Sequence, residues 1–320
     1  MLRLSRRRPG LTTIRGEQMS LRPLSLLTID EPRRLGITLV LPSIIIVFGF
    51  LLYPFAYSLV LSLMNYDLAR PQGNGFIGLQ NYFRLTQDKY FLNAVVQTLI
   101  FSFASVILEI ILGVAIALVM SQEFRGRGIL RALIIIPWAL PSIVNASMWS
   151  WILNANYGAL NALLTQVGAL HAYRPWIAEP GWAMAMIILA NVWKETPFTV
   201  VLVLAALQGV PREMREAAVV DGAGAIRRFV SIVLPMIVQI VMICALLQLI
   251  WSLLHTFELV YVVTRGGPFN STDLVPMRIY WQTFKGLRFG YGAAMAYLAT
   301  IALLVPSIFY IRAAYKATVE

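Results

Sequence analysis

From Leu35 to Leu63 the sequence runs for 29 residues without one charged side chain. A bilayer's hydrocarbon core is about 30 Å thick, and a helix needs roughly 20 apolar residues to cross it. Composition agrees: 59% of the 320 residues are hydrophobic and 13% charged, where a soluble domain is about a quarter charged. The chain reads as an integral membrane protein.

Six apolar segments follow one another at about 35–63, 92–120, 129–153, 182–208, 229–254 and 291–312. Each is long enough to cross as a helix, so the expected fold is all-α with six transmembrane helices. Prolines at 42, 54, 137, 141, 197, 235 and 306 fall in or near these segments. A bundle in lipid tolerates them, because neighbouring helices and local kinks re-satisfy the freed carbonyls.

Six crossings put both termini on one side. With the amino terminus inside, the inner segments carry seventeen Lys and Arg and the outer segments eight. Basic residues concentrate in cytoplasmic loops, so both termini are expected in the cytoplasm of a cell whose inner membrane holds the chain. The net charge of +11 follows this bias and gives no reason to expect nucleic acid. Residues 1–34 form a basic tail attracted to anionic lipid; the apolar run that follows is far longer than the 7–15 residues of a signal peptide and lacks a small-residue cleavage pattern. The one cysteine, Cys244, lies in an apolar run and suits neither a disulfide nor a metal site.

One polar segment interrupts this pattern. Residues 209–228 fall between the fourth and fifth crossings, on the cytoplasmic side, and read "GVPREMREAAVVDGAGAIRR". Pro211 is placed to start a helix, and Gly222 and Gly224 to end or kink it before a second begins near Ala225. Glu216-Ala217-Ala218, then Gly222 after three residues, then Ile232-Val233-Leu234-Pro235 after nine, resembles the EAA loop of ATP-binding-cassette importer permeases. Asp221 and Ala223 extend the match to the sugar-importer form, "EAAxxDGA". "FRGRGILRALIIIPWALPSIV" from Phe124, "NVWKETPF" from Asn191 and "GGPFNST" from Gly266 agree with it. The resemblance runs from about residue 37 to the carboxyl end and is nearest to maltose- and trehalose-type permeases.

The resemblance implies that this loop is a coupling helix in a cleft of a separate cytoplasmic ATPase. Arg215, Glu216, Ala217, Ala218, Asp221, Gly222, Ala223 and Pro235 would form the coupling element. Glu216 would pair with basic groups, the alanines would allow close approach, and Gly222 would supply the turn. The implied partners are a second homologous permease, two ATPase subunits using ATP and Mg, and an extracytoplasmic sugar-binding protein.

The sequence itself carries no sign of ATP hydrolysis or other catalysis. A P-loop requires Gly before its Lys, but the four lysines follow Asp88, Trp193, Phe284 and Tyr315. HExxH and GxSxG are absent, and the only histidines are His171 and His255. The expected role is a pathway without catalytic residues, resident cofactor or metal.

Ionisable groups inside a crossing mark functional candidates. Lys194 and Glu195 lie in the fourth segment beside Asn191 and Phe198, and the resemblance places sugar contacts at these four positions. In maltose-type permeases the middle two are uncharged; a Lys–Glu pair reaching for the outer interface is the other reading. In the fifth segment Gln248, Ser252 and His255 form a polar stripe with Trp251 beside it. Thr256 and Glu258 are neighbouring alternatives, and interhelical hydrogen bonding competes with sugar contact. Glu109 reads as a packing hydrogen-bonder. The segment after Val263 resembles the family's receiving surface for the binding protein. The expected function is sugar import powered by separate ATPases; the alternative is an ion-driven carrier using Lys194, Glu195 and Glu109, which has no need of an EAA loop.

Overall fold

The computed structural model describes residues 32–319, with the side chains of 32–35, 212, 215 and most of 306–319 outside the described set. The basic tail therefore lies almost wholly outside the described residues. The chain divides into two compact units, one ending at Phe55 and the other beginning at Ala56.

The first unit holds α1 (Pro32–Val47) and a π-helical stretch, Phe48–Leu52. Ile37, Leu39, Ile45, Phe48 and Phe50 are all exposed. A helix apolar all round suits lipid and not water. The continuous helical run Gly36–Ser62 is long and apolar enough to cross a membrane, and α2 (Tyr53–Ser62) completes it.

In the second unit a small hairpin, β1 (Met64–Asn65) and β2 (Gly75–Phe76), and α3 (Gln80–Leu85) lead to α4 (Lys89–Met120). Asp88 caps α4 by accepting bonds from the Tyr90 and Phe91 amides at 2.9 and 3.2 Å, satisfying two of the donors that a helix start leaves free. Then follow α5 (Arg127–Ala139), α6 (Ser142–Ile152), α7 (Ala159–Gln166) and α8 (Pro180–Gln208). The short α9 (Arg212–Val220) and α10 (Ala225–Arg228) precede a π-helical stretch and α11 (Leu234–Leu254). The chain ends with α12 (Phe257–Val263), α13 (Val275–Tyr280) and α14 (Phe289–Val319).

Four of the six expected crossings are continuous helices of sufficient length and apolarity: Gly36–Ser62, Lys89–Met120, Pro180–Gln208 and Ala225–Leu254. The third is not one straight crossing. Its halves, α5 and α6, meet at 96°. Leu140 at the break has ψ of 136°, the extended conformation that a following proline, Pro141, imposes. The sixth corresponds to α14, whose described apolar stretch is Phe289–Val305.

The core is built around α4 and α8. One apolar cluster joins Phe101, Ile187 and Ala190 to Trp149 of α6 and Val260 of α12. A second joins Val114 and Ala117 to Val200, Val203 and, on α11, Cys244. Between them lies a buried polar layer of Glu109, Asn191, Thr196, Thr199 and Gln248. Within lipid, such packing relies on close contact and interhelical hydrogen bonds more than on water exclusion.

Gly113 allows that contact: a Cβ there would lie 2.5 Å from Thr199 Cγ2. Gly113→Ala should lower the melting temperature of the detergent-purified protein, since overpacking costs about 1–3 kcal/mol. Adding Thr199→Ala should restore most of the loss. An unchanged melting curve for Gly113→Ala would contradict this close approach.

Candidate functional site

Asn191, Lys194, Glu195 and Phe198 stand on α8 at the spacing i, i+3, i+4, i+7. Gln248, Trp251, Ser252 and His255 repeat that spacing on α11 and its C-cap. Such positions share one face of a helix, and the two faces meet. Asn191, Lys194, Glu195, Gln248, Trp251, Ser252 and His255 line a single cavity of about 290 Å³. Seven of the eight expected contact residues are thus brought together.

Phe198 is the exception. It lies two turns, about 10 Å, along the axis from Asn191 and does not line the cavity. Its ring packs 4.7 Å from that of Trp251 and 6.0 Å from that of Trp138. Trp138 and Ser142 complete the lining, one on each side of the α5–α6 break. Sequence reasoning missed them, although the proline pair at 137 and 141 marks the place where backbone turns aside and exposes its neighbours.

The polar groups here are held from behind. Asn191 Nδ2 donates to Glu109 Oε1 at 2.8 Å, joining α8 to α4. Lys194 Nζ lies 2.8 Å from Glu195 Oε1, the two side chains 13% and 16% exposed. Gln248 Nε2 donates to the Glu195 carbonyl at 2.9 Å, and Thr196 Oγ1 to the Val192 carbonyl at 2.6 Å. These bonds surround Pro197, whose missing N–H and ring loosen the helix locally, and they fit the rule that broken backbone in lipid finds other partners. Interhelical bonding and cavity lining therefore coexist: Gln248 and Asn191 do both. Glu109 is fully buried and does not line the cavity.

The loop on the other side of α8 is equally defined. Pro211 precedes α9 by one position as its N-cap, instead of opening the helix. At the far end the Gly222 amide donates to the Val219 carbonyl at 3.0 Å and the Ala223 amide to Ala218 at 2.9 Å. With Gly222 at φ +74°, this is a Schellman C-cap, which requires the left-handed conformation that glycine adopts without strain. Gly224 then starts α10, which continues through the π-helical stretch into α11. Pro235 sits in the first turn of α11.

Ala218 is buried against the protein, while Glu216, Ala217, Asp221 and Gly222 are exposed. Val220 and Ile226 are 88% and 82% exposed. Glu216 and Val219 also border a groove of about 680 Å³ shared with Gln122, Glu123 and Arg228. The Arg215 side chain lies outside the described residues.

At the opposite end from α9, the segment after Val263 is tied by its own bonds. Thr272 Oγ1 donates to the Gly267 carbonyl at 2.6 Å, and Arg278 pairs with Asp273. Burial pushes the Asp273 carboxyl up to about 6, against the opposing pull of Arg278. Nearby, Arg174 and Glu179 form a two-pronged pair at 3.1 and 2.5 Å. That pairing holds the Glu179 carboxyl below its ordinary value and the Arg174 guanidinium above its own. Among the described residues no His, Cys, Asp and Glu cluster could hold a metal ion.

This architecture has known counterparts. The trehalose/maltose transport system permease protein MalF of Thermococcus litoralis is 35% identical over 279 residues, covering 87% of this chain and 93% of that protein. The sulfoquinovosyl glycerol transport system permease protein SmoG of Agrobacterium fabrum is 32% identical, covering 88% and 90%. In fold, the chain superposes on a bacterial ABC transporter involved in import of the acidic polysaccharide alginate. The TM-score is 0.77 at 23% identity, covering 88% of this chain and 96% of that one. The pattern of the binding-protein-dependent transport system inner membrane component family matches residues 109–317. With that match over more than half its length, this chain belongs to the family of binding-protein-dependent transport system inner membrane components.

Proposed function

We propose that this chain forms half of the transmembrane pathway of a sugar importer and that the cavity between α8 and α11 is where sugar is held. The observation that carries this reading is the meeting of two identically spaced polar and aromatic faces in a polar layer of an otherwise apolar bundle. Sugar hydroxyls suit amides and a Lys–Glu pair, and sugar C–H faces suit Trp138 and Trp251. Two similar permeases are named for glycosides: trehalose/maltose and sulfoquinovosyl glycerol.

The chain works with a second homologous permease, two ATPase subunits that use ATP and Mg, and an extracytoplasmic sugar-binding protein. It carries no ATPase site, cofactor or metal of its own. Both termini and α9 face the cytoplasm. Glu216 pairs with basic groups of the ATPase, and Val220 and Ile226 seat the turn against it. Closure of the ATPases on ATP pushes α9, and the continuity from α10 into α11 carries the movement to the cavity wall. Membership of a binding-protein-dependent family favours this over an ion-driven carrier.

Val220→Cys on a Cys244→Ser background tests the placement of α9. A membrane-impermeant maleimide should label it only from the cytoplasmic side, and binding of the ATPase subunits should slow labelling at least tenfold. Labelling from outside, or labelling indifferent to the ATPase, would contradict the assignment.

A further inference from the structure

The amide donors bordering the cavity are already used inside the protein. Asn191 Nδ2 bonds Glu109, and Gln248 Nε2 bonds the Glu195 carbonyl. The opposite atom of each amide is an acceptor. The Gln248 oxygen is buried with no donor, and Gln248 as a whole is 1% exposed. No donor reaches the Asn191 oxygen among the described residues. The Gln248 oxygen is sealed within the protein, so an incoming ligand meets, at Asn191, an amide oxygen that lacks a hydrogen-bond donor.

Charge is balanced as well. Lys194 is committed to Glu195, so the one formal cation of the lining faces its own counter-ion; His255 is exposed at the rim. Behind Asn191 stands a further acid, Glu109, fully buried. An anionic ligand here would lose its hydration without finding an uncompensated cation, and would lie close to two carboxyl groups. A hydroxyl donates to an amide oxygen at no such cost.

We propose that Asn191 and the Lys194–Glu195 pair select electrically neutral, hydroxyl-bearing saccharides and reject sugar phosphates, sulfonates and uronates. This rests on the sugar reading above. Membership of the family does not supply it, since one similar permease is named for a sulfonated glycoside. Glu195 is the specificity-determining residue, because it neutralises Lys194. Glu109 is a positioning residue that fixes which end of the Asn191 amide faces the ligand.

The test uses the assembled complex in lipid nanodiscs, without the binding protein, so that selection by this chain is read alone. Equilibrium binding is measured for trehalose and maltose and for the anionic trehalose 6-phosphate and maltobionate. The neutral sugars should bind at least tenfold more tightly than the anionic ones. Glu195→Gln, which frees the Lys194 charge, should narrow that ratio at least tenfold, and Glu195→Asp should preserve it. Should Glu195→Gln fail to assemble, Lys194→Met serves in its place and should widen the ratio. Equal binding of neutral and anionic sugars by the natural chain, or a ratio unmoved by both charge-altering variants, overturns the selection. Binding by none of the four sugars overturns the sugar reading beneath it.

Discussion

Gly222→Val should reduce uptake at least tenfold while the complex still inserts in the membrane at normal levels. The residue sits at φ +74°, a region that costs an ordinary L-residue about 1–2 kcal/mol and a β-branched one more. No atom lies within 4 Å of the position a Cβ would take. The penalty is thus in the backbone, and valine escapes it only by opening the two C-cap bonds from Gly222 and Ala223. That would let α9 swing relative to α10 and uncouple the push on α11. Asparagine tolerates the left-handed region, so Gly222→Asn should keep much of the activity that valine loses. Glu216→Lys should give a comparable loss by a different route, reversing the charge offered to the ATPase. Uptake normalised to the amount of chain in the membrane checks all three, and full transport by Gly222→Val and Glu216→Lys would remove the coupling role.

The second large effect is expected at Asn191. Asn191→Leu takes away the donor to Glu109 Oε1, while Glu109 Oε2 already has none. A buried polar group stripped of its partner costs about 1–3 kcal/mol, and more if charged. The single variant should therefore lose both thermal stability and transport. The double variant Asn191→Leu with Glu109→Leu replaces both partners by apolar groups of similar size, a change that is often nearly neutral for stability. It should recover the melting temperature and remain at least tenfold impaired in uptake. A double variant that transports normally would return both residues to packing alone.

The crossings were legible because lipid forbids charge over a stretch of fixed length, and Leu35–Leu63 shows that rule by itself. The coupling helix was legible for the opposite reason: charge and glycine stand where lipid is absent, and within 209–228 Gly222 is the one described residue with a positive φ. The α5–α6 break was less so. Residues 132–153 carry no charged side chain, and hydropathy does not register direction; the signal lies in the prolines, above all Pro141 acting on Leu140, and prolines elsewhere, as at 197, leave a helix continuous.

Within the cavity, helical spacing identified the faces of α8 and α11 but could not say how far along the axis the cavity extends. Phe198 was therefore included and Trp138 omitted. The bond between Asn191 and Glu109 spans 82 residues of sequence, and no local pattern encodes it. Glu109 looked like a packing residue, and so it is; that it packs by holding the back of a cavity-lining amide became visible only in three dimensions.

Reconstitution tests the central claim most directly. The chain would be assembled with its second permease and ATPase subunits in proteoliposomes that carry no proton or sodium gradient, with the sugar-loaded binding protein on the outer face. Accumulation of sugar should begin on supplying ATP and Mg at the ATPase face and stop when either ATP or the binding protein is withheld. Accumulation driven by an imposed ion gradient without ATP would contradict the account.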